Sequence, residues 1–210
     1  MPIFGEGEGK APAWSELEAF YLEYIEKGQK KEFEWRGPME RYFVIEGTIT
    51  GICGDDKYIL NTGQVFDPPA GKVFAVSTEG ERAGICRCCG SWGGETGGSG
   101  LFGVAASDNP ANAGDPTDYP RNASFDNHYH DCDEYWIIYR GSGTAYSEGV
   151  RYEVKPGDCV ATGRGYHHDF PICEKTVGAV YLETTLAGKK RGGHLWEHTH
   201  GKPSPDPDRR

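Results

Sequence analysis

His128-Tyr129-His130-Asp131-Cys132-Asp133-Glu134-Tyr135-Trp136-Ile137-Ile138-Tyr139-Arg140-Gly141 decides how this chain folds, together with Pro156-Gly157-Asp158 and Gly165-Tyr166-His167-His168 downstream. In a strand, residues i and i+2 share a face, so His128 and His130 point one way and Tyr129 the other. Glu134 follows after a short turn, at the head of an apolar run that reads as the returning strand. Three imidazoles and one carboxylate suit one divalent first-row transition metal (Fe, Mn, Ni, Co or Zn), because neutral nitrogen and anionic oxygen serve all of them. A lone histidine would read as a surface or satisfied core residue. Four ligand-type residues in register with three glycines read as a metal site on His128, His130, Glu134 and His168. His167 has the opposite strand parity to His168 and is the fallback.

These segments resemble the two-part signature of the cupin superfamily. The first matches it at both histidines, the glutamate and the closing Gly141. The second departs from the usual Pro-x-Gly-x-x-His, since Gly163 stands where proline is common. The resemblance implies an all-β fold of cupin-type double-stranded β-helix (jelly-roll) barrels. It also implies a metal with one or two coordination positions open to a cavity.

An internal copy refines that expectation. Shifted back by 94 residues, Glu134 falls on Glu40, Gly141 on Gly47, Tyr152 on Tyr58, Gly157 on Gly63 and Gly165 on Gly71, without a gap from Glu34 to Phe74. A repeat changes the fold expected. The chain reads as a bicupin, two β-barrel units in one polypeptide. The same shift puts Glu34 under His128, Arg36 under His130, Glu40 under Glu134 and Phe74 under His168, so the first unit keeps one ligand position of four. Glu34, Arg36 and Glu40 could form an ion-paired set, or Arg36 could bind an anion, but Phe74 fills the fourth place with an apolar ring. The expected organisation is an N-terminal segment (1–30), a degenerate unit (31–92), a connection rich in Gly, Pro and Asn (93–121), a metal-binding unit (122–188) and a tail (189–210). The degenerate unit is expected to pack on its twin and to be able to wall its pocket.

The rest of the chain fits around these units. Ser15 and Glu18 have the spacing of a capping box, and Leu17, Phe20, Tyr21, Tyr24 and Ile25 recur at helical intervals before Gly28, which predicts a short N-terminal helix. The seven glycines between Gly90 and Gly103 predict a surface loop, part of which could cover the pocket. In the tail, Leu195 and Trp196 predict a docking segment flanked by His194, His198 and His200, and 201–210 is expected to be disordered.

Composition narrows the function classes. A net charge of -10 argues against nucleic acid as partner, which calls for clustered Lys and Arg. No stretch approaches the roughly 20 apolar residues of a membrane helix, and the start has no signal-peptide core. Seven cysteines, an odd count with only half a zinc-type spacing at Cys86 and Cys89, suggest reduced thiols in the cytoplasm. The expected partner is a small-molecule substrate. Two fused units could satisfy one another, although a homodimer stays open.

The superfamily spans isomerases, epimerases, lyases, decarboxylases, dioxygenases, storage proteins and ligand-sensing domains, and fold alone does not choose among them. Strand parity puts Tyr181 and Glu183 on one face, where a phenol and a carboxylate beside the metal would form an acid/base team. Trp136 could floor the cavity, and Tyr166 could stand at its mouth. The leading expectation is a metal-dependent enzyme that moves a proton on a sugar, polyol or hydroxy acid, as an isomerase, epimerase or lyase. The rivals are a non-haem iron dioxygenase and a ligand-binding protein without activity.

Overall fold

In a computed structural model of the chain, which describes residues 1–210, the regular structure is nearly all strand. In chain order the strands are β1 (Ile3–Gly5), β2 (Leu17–Glu26), β3 (Lys30–Phe33), β4 (Met39–Glu46), β5 (Thr48–Cys53), β6 (Asp56–Asn61), β7 (Val65–Phe66), β8 (Phe74–Ser77) and β9 (Arg82–Gly90). They continue with β10 (Ser99–Val104), β11 (Ala113–Gly114), β12 (Asp126–Asn127), β13 (Glu134–Ser147), β14 (Val150–Val154), β15 (Asp158–Thr162) and β16 (Asp169–Glu183). One turn of helix, α1 (Glu197–His200), comes last. The jelly-roll expectation holds.

The chain divides into two compact units. An N-terminal unit comprises Glu6–Ala11 and Glu16–Trp92, and a C-terminal unit comprises Met1–Gly5, Pro12–Ser15 and Gly93–Arg210. The first unit has two four-stranded sheets, β2-β9-β4-β7 and β3-β8-β5-β6. Buried residues of both sheets form its core, among them Tyr42, Val44, Ile49, Phe74 and Ile85. In the second unit the sheet order is β1-β15-β13-β16-β10, with β14 on β13. Its core includes Trp136, Ile138, Val160, Phe170 and Val177. β1, from the very start of the chain, completes an edge of this C-terminal sheet by pairing with β15.

The repeat read from the sequence is visible in the backbone. Shifted back by 94 residues, β13 covers β4 and β5, β14 covers β6, β15 overlaps β7, and β16 covers most of β8 and β9. The turns match bond for bond. Gly157 N donates to Ile138 O and Gly63 N to Val44 O, while Asp158 N donates to Lys155 O and Gln64 N to Asn61 O. The glycines kept between the copies have one physical reason: φ is +77° at Gly141 and +70° at Gly47, +90° at Gly157 and +89° at Gly63, +81° at Gly165 and +74° at Gly71. Side chains rarely adopt such angles.

Crowding adds to this at Gly141, where a Cβ would sit 2.2 Å from Thr176 O. Gly149 has a similar φ of +80° but nothing within 4 Å of its Cβ position. Gly149→Ala should therefore cost about 1 kcal/mol and Gly141→Ala more, about 3 kcal/mol, as backbone strain joins the clash. Urea unfolding midpoints check this, and equal losses would mean that the clash is absent.

The predicted N-terminal helix is corrected. Leu17–Glu26 is strand β2, antiparallel to β9 with Phe20 opposite Cys88 and Ile25 opposite Ala83. Phe, Tyr and Ile favour strands. A bulge between Leu17 and Ala19 breaks strict alternation, so the buried set imitates helical spacing. The Ser15 N–H closes a turn on Pro12 O.

Two further expectations change. Residues 201–210 lie against both motifs: Asp206 pairs with Arg164 of the second, and Arg209 with buried Asp133 of the first. This explains the departure at Gly163, since a Cβ there would meet Arg209 O at 2.1 Å. The ion-paired set of Glu34, Arg36 and Glu40 is also revised. Glu40 pairs with buried Arg87, Arg36 gives Glu40 only its backbone N–H, and its guanidinium turns to Glu8. The reason is topological: β9 lies beside β4, which places Arg87 opposite Tyr42 and near Glu40. All seven cysteines are buried thiols outside any disulfide.

Candidate metal centre

Three bridging interactions fix the histidine segment. His128 and His168 exchange both backbone hydrogen bonds, at 3.2 and 2.9 Å, which sets two imidazoles side by side. Tyr129 does the same with Leu195, at 3.0 Å each, and its side chain points to the other face. His130 O accepts from Gly165 N at 2.8 Å, tying the first motif to the second. Glu134 enters from the first residue of β13.

The four predicted ligands converge, with their ligating atoms within 4.8 Å of one another and all four side chains buried. Glu134 Oε2 lies 2.6 Å from His168 Nε2, 3.2 Å from His130 Nε2 and 3.9 Å from His128 Nε2. The opposite ring nitrogens are all engaged by carbonyls. His128 Nδ1 faces Asp126 O at 2.8 Å, His130 Nδ1 faces Gly193 O at 3.0 Å, and His168 Nδ1 faces Tyr166 O at 3.1 Å. A carbonyl only accepts, so each Nδ1 carries a proton, and each ring turns its Nε2 inward as the atom that would ligate a metal.

His128 Nε2 and His130 Nε2 are buried and lack a hydrogen-bond partner. Three inward Nε2 atoms around a carboxylate, two of them unpartnered, are a set that a divalent cation satisfies, so the donor set fits a metal. The electrostatics agree. Burial, then the neighbouring imidazoles, push His128 well below its ordinary pKa. Burial opposes charge on His130 too, but the Glu134 carboxylate outweighs it and raises that pKa. Burial would raise Glu134, yet His130 and His168 hold it well below the usual carboxylate range.

A cavity of about 380 Å³ opens beside Glu134. Cross-strand pairing explains its inner wall, for β13 and β16 set Glu134 opposite Glu183 and Trp136 opposite Tyr181. All four line the cavity, so the structure brings the predicted acid/base candidates together. Burial, then the Glu134 charge, raise the Glu183 pKa; burial, then both carboxylates, raise that of Tyr181. Trp136 is both core and cavity wall, 2% exposed. The connection contributes too: Gly97, Gly98 and Phe102 line the cavity.

Other candidates fall outside. Tyr166 does not line the cavity and acts through its carbonyl instead. His167 points away, with Nε2 3.0 Å from Asp115 Oδ2. That pair lines a larger cleft, about 980 Å³, which none of the four predicted ligands lines, so volume does not locate the chemistry. Sequence reasoning missed His194 as a cavity residue. Its ring stacks on His128 with centroids 3.7 Å apart, and its Nδ1 bonds Asp126 Oδ2 at 2.8 Å. The only signal was its place before the Leu195 anchor, which is buried as the docking reading required.

Comparison with known proteins agrees with this geometry. Residues 117–185 match the Cupin domain family. The chain is 38% identical over 211 residues to the uncharacterized protein y4oW of Sinorhizobium fredii, covering 100% of this chain and 96% of that one. Among solved structures it is similar to hazelnut (Corylus avellana) vicilin, with a TM-score of 0.60 and 10% identity over 87% of this chain and 79% of that one. An IolB-like protein from Salmonella typhimurium gives a TM-score of 0.55 and 14% identity over 87% and 88%. A mutant of Bacillus subtilis oxalate decarboxylase gives 0.55 and 11% over 81% and 69%. At such identities the likeness concerns the fold. No helix is long and apolar enough to cross a membrane.

Proposed function

This chain belongs to the cupin superfamily, and from that premise we propose that its C-terminal unit is an enzyme centre. It holds one divalent transition metal on His128, His130, Glu134 and His168, and moves a proton on a small substrate that presents a hydroxyl beside a carbonyl. The observation that carries the reading is the pairing of Glu183 and Tyr181 against Glu134 and Trp136 on one inward face. A bound metal would polarise the carbonyl as a Lewis acid and stabilise the enediolate. Glu183, buried and raised in pKa, takes up the carbon-bound proton and returns it. The Tyr181 hydroxyl, in the same wall, donates to the substrate oxygen that gains negative charge. Gly97 is matched to this arrangement, since a Cβ there would sit 2.1 Å from Glu183 Oε2.

The test uses α-hydroxyketones in deuterated water. Metal-loaded wild-type protein should exchange the carbinol hydrogen for deuterium, followed by NMR. Glu183→Gln should slow that exchange by about 10²-fold or more while metal content stays unchanged. Wild-type exchange in both Glu183→Gln and Tyr181→Phe would remove the proposed roles. Turnover that stops under anaerobic conditions would replace proton transfer with dioxygenase chemistry.

A further inference from the structure

One wall of the cavity, which packs on the ligand cluster through Phe125 on His128 and Trp136 on His168, is unusually aromatic for a site that handles small polar compounds. Phe102 from β10, Phe125 before β12, and Trp136 from β13 lie with ring centroids 5.3 to 5.6 Å apart. Tyr181 follows at 6.5 Å from Phe102. Phe102, Phe125 and Tyr181 pack on the core yet stay only partly buried, and all three line the cavity. Gly97, Gly98 and Gly193 add only backbone to the lining. Gly100, opposite Tyr181, leaves that ring its room: a Cβ there would lie 3.0 Å from Tyr181 Cε1.

Charge gives the second, independent observation. No Lys or Arg lines the cavity, and its ionisable residues are Glu134, Glu183, Tyr181 and His194. A phosphate or a second carboxylate remote from the metal would meet no guanidinium or ammonium in the lining, and Arg or Lys is the usual means of holding such groups. Apolar lining with few polar groups instead selects ligands by shape and apolar area.

We propose that the substrate is an uncharged hydroxy-carbonyl compound carrying one planar ring, which seats on Phe102, Phe125 and Trp136. This rests on the proton-transfer reading for the position of the hydroxy-carbonyl head, while the ring site follows from the lining alone. It sets aside phosphorylated sugars and dicarboxylic hydroxy acids.

Three probes decide it: α-hydroxyacetophenone, hydroxyacetone and dihydroxyacetone phosphate, each titrated onto metal-loaded protein by calorimetry. The ring compound should bind at least about tenfold more tightly than hydroxyacetone, and the phosphate should give no gain. Phe102→Leu and Phe125→Leu should each reduce the ring preference, with hydroxyacetone affinity and the thermal midpoint kept as evidence of intact folding. Equal affinities, tighter binding of the phosphate, a preference unchanged in both leucine variants, or no binding of any probe would overturn the proposal. Deuterium exchange separates it from the reading beneath it. Preferred binding of the ring compound without exchange would leave the substrate class and remove proton transfer. Exchange with equal affinity for all three would do the reverse.

Discussion

Replacing His128 by alanine is expected to take the purified protein from about one divalent metal ion per chain to nearly none. The expectation rests on the two buried, unpartnered Nε2 atoms of His128 and His130 and on the carbonyls that hold all three rings in one tautomer. An unpaired buried acceptor costs about 1–3 kcal/mol, and one cation would satisfy the whole set. Glu134→Gln should also lower loading, because it removes the only negative charge among the four donors. Cys132→Ser should not, although Cys132 stands between the ligands in sequence. Elemental analysis reads the stoichiometry. Excess metal should also raise the melting temperature of wild-type protein and leave that of His128→Ala unmoved; binding at a thousandfold excess over Kd is worth about 4 kcal/mol. Protons compete for the imidazoles, so loading should fall as pH drops through the histidine range and hold above it. Stoichiometric metal that survives removal of both His128 and His168 would place the site elsewhere.

Much of this centre was legible because its constraints are local. Strand parity and a positive φ at a few glycines are properties of neighbouring residues, so both motifs and the 94-residue copy could be read directly. What escaped reading depends on long-range pairing. The bulge in β2 is set by its ladder with β9, and without that partner Leu17–Ile25 scans as a helix. β1 joins the C-terminal unit through β15, more than 150 residues away, and nothing in Ile3–Gly5 announces it. His194 enters the cavity because Leu195 pairs with Tyr129, a register that no periodicity encodes. Gly163 is the instructive case. It looked like a lapse from the motif, yet it clears a path for residues 204–209, whose own composition suggests disorder. Parity put Glu183 and Tyr181 on one face without saying which way it turns, and the β13–β16 register sets that face on the cavity.

Arg87→Ala should be the most destabilising single change in the N-terminal unit, by about 3–5 kcal/mol, because it strands a buried carboxylate. The Arg87 and Glu40 side chains are only 5% and 1% exposed. Arg87 Nε donates to Glu40 Oε2 at 3.1 Å, and Arg87 also reaches Glu34 O. Tyr42 donates its hydroxyl to Glu40 at 2.9 Å. Glu40 is the repeat equivalent of Glu134, and Arg87 that of Tyr181. Each copy thus buries a carboxylate at the same place and must neutralise it. The C-terminal copy gathers three imidazoles around the carboxylate, whereas the N-terminal copy lays a guanidinium across it and fills the remaining position with Phe74. Removing both charges tests this reading against simple loss of packing. Glu40→Leu combined with Arg87→Met should recover most of what Arg87→Ala loses, since a buried pair exchanged for apolar side chains of similar volume is often neutral. Urea unfolding of the single and double variants measures the coupling. A double variant as unstable as Arg87→Ala would show that the bulk of the side chain matters and the charge does not. Metal loading is the second readout and should stay at the wild-type level in every one of these variants, because the guanidinium neutralises only the carboxylate of its own unit.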